Sequence, residues 1–195
     1  MSVRYSITTA DYLEWSEMTA LVRNLYTDGN YTISLLIALG SFWGLRISDI
    51  RNLTWGDILK KETLSLIEHK TGKRRMIAVN TQLQRHIKDC YTALGQPALT
   101  QYCLISRMGT VLTTQRINNI FKDLKKRYNL HINNYSTHSM RKTFGRQIVE
   151  QAGANSEMAL IKLSDIFGHS SIAITRRYLG LKQQEIMDTY NSLTF

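Results

Sequence analysis

Seven side chains in four separated stretches have the types and spacings needed to handle a phosphate or a similar oxyanion. Arg46 lies in Gly44-Leu45-Arg46-Ile47-Ser48-Asp49-Ile50, with the acid Asp49 three residues on. Lys70 stands in a stretch built to turn. His138-Ser139-Met140-Arg141 sets a histidine and an arginine three apart, on one side of a helical turn. Gly168-His169 is followed by Tyr178 nine residues after the histidine. A guanidinium is permanently charged and offers paired donors, so two of them can hold phosphate charge without a metal. Histidine can add donors or carry a proton. Lysine can give a proton, and tyrosine can act as a nucleophile if its phenolate is stabilised.

Each stretch also has an ordinary explanation. Arg46 and Asp49 fit a surface ion pair, Lys70 a solvated turn and His138/Arg141 an exposed helix face. Tyr178, at the end of an apolar-rich segment, fits a core anchor. These explanations are independent of one another, whereas a chemical reading needs all four stretches in this order. A metallohydrolase is disfavoured, because His69, His86, His131, His138 and His169 show no H-E-x-x-H or comparable spacing. Cys90 and Cys103 form neither a metal motif nor a disulfide framework, which fits a reducing cytoplasm.

The elements that must position these residues are mostly helical. Periodicity predicts helices over about Ser16 to Tyr26, then to Trp43 with Asn30 as cap, and Ile47 to Leu53. Leu64 to Ile67 and Met76 to Val79 read as strands joined by the turn His69-Lys70-Thr71-Gly72-Lys73, a basic hairpin. Asn80 then caps a helix through about Leu94, and a break with Pro97 and Gly109 holds a short strand near Cys103 to Ile105. Further helices run over about Thr114 to Tyr128, Ser139 to Gln151 and Met158 to Phe167, and a short one ends near Tyr178. A last helix, Lys182 to Leu193, carries the apolar stripe Ile186, Met187, Tyr190 and Leu193. The expected fold class is mainly α with one small antiparallel β-sheet (α+β).

The 195 residues suffice for one domain with a proper core, and 43% are hydrophobic. Lys and Arg number 25 against 15 acids, a formal charge of +10 that favours a polyanion, nucleic acid first. The longest apolar run, Ile33 to Leu45, is interrupted by Ser34, Gly40, Ser41 and Gly44 and falls short of a membrane span. A soluble, cytoplasmic, nucleoid-associated prokaryotic protein is expected, with no membrane partner.

Taken in order, the four stretches resemble the tyrosine recombinases of the phage integrase family. GLRISDIRNLTWGDI is similar to that family's first box, HSMRKTFG to its second and FGHSSIAITRRYLG to its nucleophile box. The resemblance implies a catalytic site of Arg46, Lys70, His138, Arg141, His169 and the nucleophile Tyr178, with Asp49 in support. It implies strand cleavage through a 3′-phosphotyrosine, with the arginines and histidines on the non-bridging oxygens and Lys70, on a mobile hairpin, protonating the 5′-oxygen. Such a covalent step conserves the energy of the broken bond, so religation needs no cofactor, neither ATP nor metal. Lys142 departs from the family, many members of which have a second histidine there.

The implied partners are double-stranded DNA and further copies of the chain, which would be a monomer or weak dimer when free and a tetramer on paired sites. Arg74, Arg75, Lys122, Arg176 and Arg177 are candidates for phosphate contacts. The expected organisation is a single catalytic domain over 1–195, without the N-terminal core-binding domain of most members, and with 181–195 as a helical tail. Two rivals stand beside this reading. A helix-turn-helix DNA reader over Leu163 to Leu181 would do no chemistry, and it leaves Arg46, Lys70, His138 and Arg141 unexplained. A type IB topoisomerase-like enzyme would use similar tyrosine chemistry without strand exchange.

Overall fold

The computed structural model describes residues 10–181, 187–188 and 190–192. The chain divides into two compact units, Met1–Thr143 and Phe144–Phe195.

The first unit begins with α1 (Trp15–Thr27) and α2 (Tyr31–Trp43). α2 is apolar nearly all round, and its central residues Leu35 to Leu39 are buried, as a helix with no polar face requires. Asn30 holds the N-cap position but does not cap with its side chain. Its ψ of 52° departs from the extended backbone that aims a cap oxygen at the first free N–H groups. Asn80, with ψ 159°, does cap: its Oδ1 accepts from Leu83 N at 2.8 Å and starts α5 (Thr81–Ala93).

Between them lie two single-turn helices, α3 (Ile47–Ile50) and α4 (Trp55–Ile58). α3 is shorter than its sequence pattern implies. The chain leaves it to reach an extended Thr54, whose N–H donates to Asp57 Oδ2 at 2.8 Å and begins α4. β1 (Thr63–Ile67) and β2 (Arg74–Ala78) form the expected antiparallel hairpin. Leu64 pairs with Ile77 and Leu66 with Arg75 on its inner face, while Ser65, Ile67 and Met76 point out to solvent. The strand expected near Cys103 to Ile105 is not formed. The chain makes isolated bridges there, Thr54 to Tyr102 and Ile105 to Val111, too short to be a strand. α6 (Thr114–Arg127) follows, capped by Thr113. One continuous core joins these elements, with Trp43, Trp55 and Phe121 fully buried and Phe121 stacked on Tyr135 at 4.4 Å.

α7 (Thr137–Ala152) starts in the first unit and ends in the second. There α8 (Ser156–Phe167) and α9 (Ile172–Leu179) enclose a smaller core of Leu160, Leu163, Phe167 and Leu179. The fold class is therefore as expected, helical with one two-stranded sheet. Of the tail stripe, Met187 and Tyr190 are exposed, and Ile186 and Leu193 lie outside the described residues. No helix among the described residues is long and apolar enough to cross a membrane.

Gly145 shows how tightly the second unit is packed. A Cβ there would lie 2.6 Å from Leu179 Cδ2 and 3.1 Å from the Phe167 ring. Gly145→Ala should therefore destabilise this unit by about 1–3 kcal/mol, the usual cost of overpacking. Urea denaturation checks this, and an unchanged midpoint would mean that α9 yields freely.

Candidate active site

The site begins where α2 ends. Gly44 is left-handed (φ 56°), a conformation that suits glycine, and it turns the chain so that Arg46 becomes the extended N-terminal flank of α3. Arg141, on α7 and only 5% exposed, donates from Nη1 to the carbonyl of Gly44. A guanidinium is favourable there, since the last carbonyls of a helix lack partners and carry its negative end. α7 can come this close to α2 because a Cβ at Gly40 would run into Met140 Sδ. Arg46 and Arg141, 95 residues apart in sequence, are thus brought to one bend of the chain.

The hairpin is fastened to the same bend by two carboxylates. Glu68, buried just past β1, accepts from Arg46 Nη1 on Oε2 and from Arg75 Nη1 on Oε1, each at 3.0 Å. The Thr71 hydroxyl also donates to Oε2, at 2.8 Å. In return Asp49, on α3 and buried, accepts the backbone N–H of His69 on Oδ1 at 2.8 Å. Burial alone would raise the Glu68 pKa. The hydrogen bonds from Thr71 and Arg75, with the charge and hydrogen bond of Arg46, outweigh it and hold the carboxyl below its ordinary range. Lys70 is exposed in the turn between these ties. The turn is closed further by Glu68 N to Lys73 O at 3.0 Å and Gly72 N to Glu68 O at 2.8 Å.

His138 is exposed in the first turn of α7, one turn before Arg141. Crowding by the surrounding protein, then the positive charges of Arg141 and Lys142, push its pKa below the usual histidine value. Lys142 is itself buried.

In the second unit, Gly168 ends α8 in the left-handed conformation and leads into His169, in the connection before α9. His169 Nδ1 lies 2.9 Å from Thr175 Oγ1. The half-buried Tyr178 ring meets His169 edge-on with centroids 5.4 Å apart, and both rings pack on Phe167 at 5.5 Å.

Among the candidate phosphate contacts, Arg74, Lys122 and Arg177 are exposed and Arg176 is half-buried. Arg75 is turned inward to Glu68, and its side chain is 16% exposed. Glu68 is the site residue that sequence reasoning missed. The available signal was an acid two residues before Lys70, placed to face a basic residue of the returning strand. The described residues contain no group of three or more His, Cys, Asp or Glu able to hold a metal.

Residues 11–185 match the model of the phage integrase family. A tyrosine recombinase XerC of Pelobacter propionicus is 22% identical over 182 residues, 92% of this chain and 58% of that protein. The chain therefore spans about three-fifths of that relative's length. The crystal structure of the XerA recombinase superposes with a TM-score of 0.69 at 20% identity, covering 96% of this chain and 67% of that one. The XerH recombinase bound to palindromic difH substrate, a post-cleavage complex, superposes at 0.68 and 16% identity over 95% of this chain and 54% of that one. Both place the fold observed here among recombinase folds.

The His138 environment makes a direct prediction. Its ring should titrate below the ordinary value near 6.5 in an NMR titration, and Lys142→Met should move that midpoint upward by removing a like charge. A folded-state pKa below the unfolded one also means that stability is lost as pH falls from the unfolded value towards the folded one. A midpoint unmoved by Lys142→Met would show that the Lys142 charge plays no part in the shift, leaving it to crowding and Arg141.

Proposed function

The chain belongs to the phage integrase family, and from that we propose that it cleaves and rejoins DNA strands as a site-specific tyrosine recombinase. The observation that carries this reading is the bend at Gly44, where Arg141 is bonded to the carbonyl two residues before Arg46. Two permanent cations at one bend suit the charge that builds on the non-bridging oxygens of a phosphodiester under attack.

In the proposed reaction Tyr178 gives up its phenolic proton to solvent and its Oη attacks the phosphorus, forming a 3′-phosphotyrosine as the bond to the 5′-oxygen breaks. Arg46, Arg141, His138 and His169 donate to the non-bridging oxygens, and Lys70 gives the departing 5′-oxygen its proton. A 5′-hydroxyl, from the same duplex or a partner, then attacks the phosphotyrosine and releases the tyrosine. Asp49 orients the turn through His69 rather than reacting. The guanidiniums supply the positive charge, so neither a metal nor ATP enters the scheme.

The substrate is double-stranded DNA, which Arg74, Lys122, Arg176 and Arg177 would contact through phosphates, with Arg75 supporting them from behind. The XerH complex with its difH substrate supports DNA as the ligand. We propose further that the chain acts as the catalytic domain, is a monomer or weak dimer when free and forms a tetramer on paired sites. The tail from 181 onward would link protomers. Integration, excision and inversion are all within reach of this chemistry.

The decisive experiment traps the covalent adduct. A supercoiled plasmid carrying the DNA beside the gene is incubated with protein, quenched in detergent, and the modified tyrosine identified by mass spectrometry. The adduct should sit on Tyr178, and Tyr178→Phe should abolish it while binding DNA as well as wild type. An adduct on Tyr128, Tyr135 or Tyr190 would overturn the assignment. Adduct formation should also persist in excess chelator, whereas Arg46→Ala or Arg141→Ala should each slow it by at least about 100-fold, the loss typical of one transition-state donor. A magnesium requirement for cleavage would exclude this mechanism.

A further inference from the structure

We propose that Glu68 is a positioning residue of the site, setting the plane of the Arg46 guanidinium and joining it to the hairpin that carries Lys70. The proposal rests on the recombinase reading above.

The geometry is specific. Three donors converge on the two oxygens of Glu68: Arg46 and Thr71 on Oε2, Arg75 on Oε1. Thr71 and Arg75 belong to the hairpin and its turn, whereas Arg46 comes from the bend after α2. Glu68 is thus a side chain through which the hairpin holds the arginine, over a separation of 22 residues. A surface ion pair between flexible side chains fixes little. Here the Glu68 side chain is 9% exposed, and its partners' side chains are 20% exposed for Arg46 and 16% for Arg75, so the geometry is enforced by packing.

The charge balance separates positioning from sequestration. Two guanidiniums share one carboxylate, so the Arg46–Glu68–Arg75 group keeps a net charge of +1 and still attracts a phosphate. Arg75 neutralises Glu68 in part, which lets the acid orient Arg46 without cancelling it. Asp49 completes the arrangement from the opposite side by holding His69 N–H, so the residues on both sides of the hairpin-to-strand junction are tied down immediately before Lys70. A pair of ties running in opposite directions between two segments fixes both their separation and their register.

A double-mutant cycle tests this. Glu68→Ala should bind the plasmid within about twofold of wild type yet form the Tyr178 adduct about 10–100-fold more slowly, as expected when a reacting group is misplaced by a fraction of an ångström. In an Arg46→Ala background the same substitution should cost nothing further, because the group it positions is gone. Glu68→Gln, which keeps shape and an acceptor, should fall between. Nitrogen-15 NMR of the Arg46 guanidinium gives a readout independent of turnover: its Nη signals, held distinct in wild type, should merge in Glu68→Ala. The proposal is overturned if Glu68→Ala slows the Arg46→Ala protein by the same factor, or if the Arg46 signals do not change. If wild type forms no adduct on Tyr178, the recombinase reading itself fails, and the NMR comparison still decides whether Glu68 orders Arg46.

Discussion

A guanidinium removed from water is tolerated only where its donors are met, and Arg141 is almost wholly buried. The carbonyl of Gly44 meets it, and much of the first unit follows from that bond. The carbonyl is available because α2 ends there. It ends there because Gly44 takes a left-handed conformation that stops the helical ladder. α7 must lie close to α2 for the arginine to reach, which the lack of a Cβ at Gly40 permits. The extended residue that leaves the bend is Arg46. Thus the feature that satisfies one arginine also determines where the other one stands.

The same logic extends to the acids. Glu68 lies between two cations and a hydroxyl donor, and Asp49 accepts a backbone N–H, contacts that offset part of the cost of burying these acids. Each acid belongs to one segment and bonds the other: Asp49 sits on α3 and holds the hairpin, while Glu68 sits on the hairpin and holds Arg46. Removing either partner of such an exchange would leave a buried charge unmatched, which costs more than the pair itself contributes. The hairpin turn, read from sequence as a mobile carrier of Lys70, is therefore anchored at its base, and the freedom left to Lys70 is that of an exposed side chain.

What could be read from the sequence was local. The three boxes, the hairpin and the Asn80 cap each depend on residues a few positions apart, and each is present. Asn30 shows the limit of such reading: its residue type suits a cap, but its ψ does not, and ψ depends on how the chain enters from α1. α4 is too short to show periodicity, and only the Thr54–Asp57 pair marked it. Glu68 was marked only by its place two residues before Lys70, because its partners are Arg46, 22 residues away, and Arg75 on the returning strand. The +10 charge predicted a polyanion partner, but not that the basic residues form two populations. Arg141 and Lys142 are buried and Arg75 is held by an acid, while Arg74, Lys122 and Arg177 face solvent. Only the exposed population can exchange counterions with a polyanion cheaply, so any salt response should track it rather than the total charge.

The second unit solves a different problem. The candidate nucleophile there, Tyr178, packs its ring edge-on against Phe167 and His169, an arrangement worth about 0.5–1.5 kcal/mol per aromatic pair beyond burial. His169 is aimed in turn by Thr175 and by the left-handed Gly168 before it. Gly145 removes the Cβ that would push Leu179, the neighbour of Tyr178, out of the core. The arginines of the first unit are held by hydrogen bonds, whereas the Tyr178 ring of the second unit is packed against two other rings. A phenol has an ordinary pKa of about 10, so it gains reactivity only when cationic groups stabilise its phenolate.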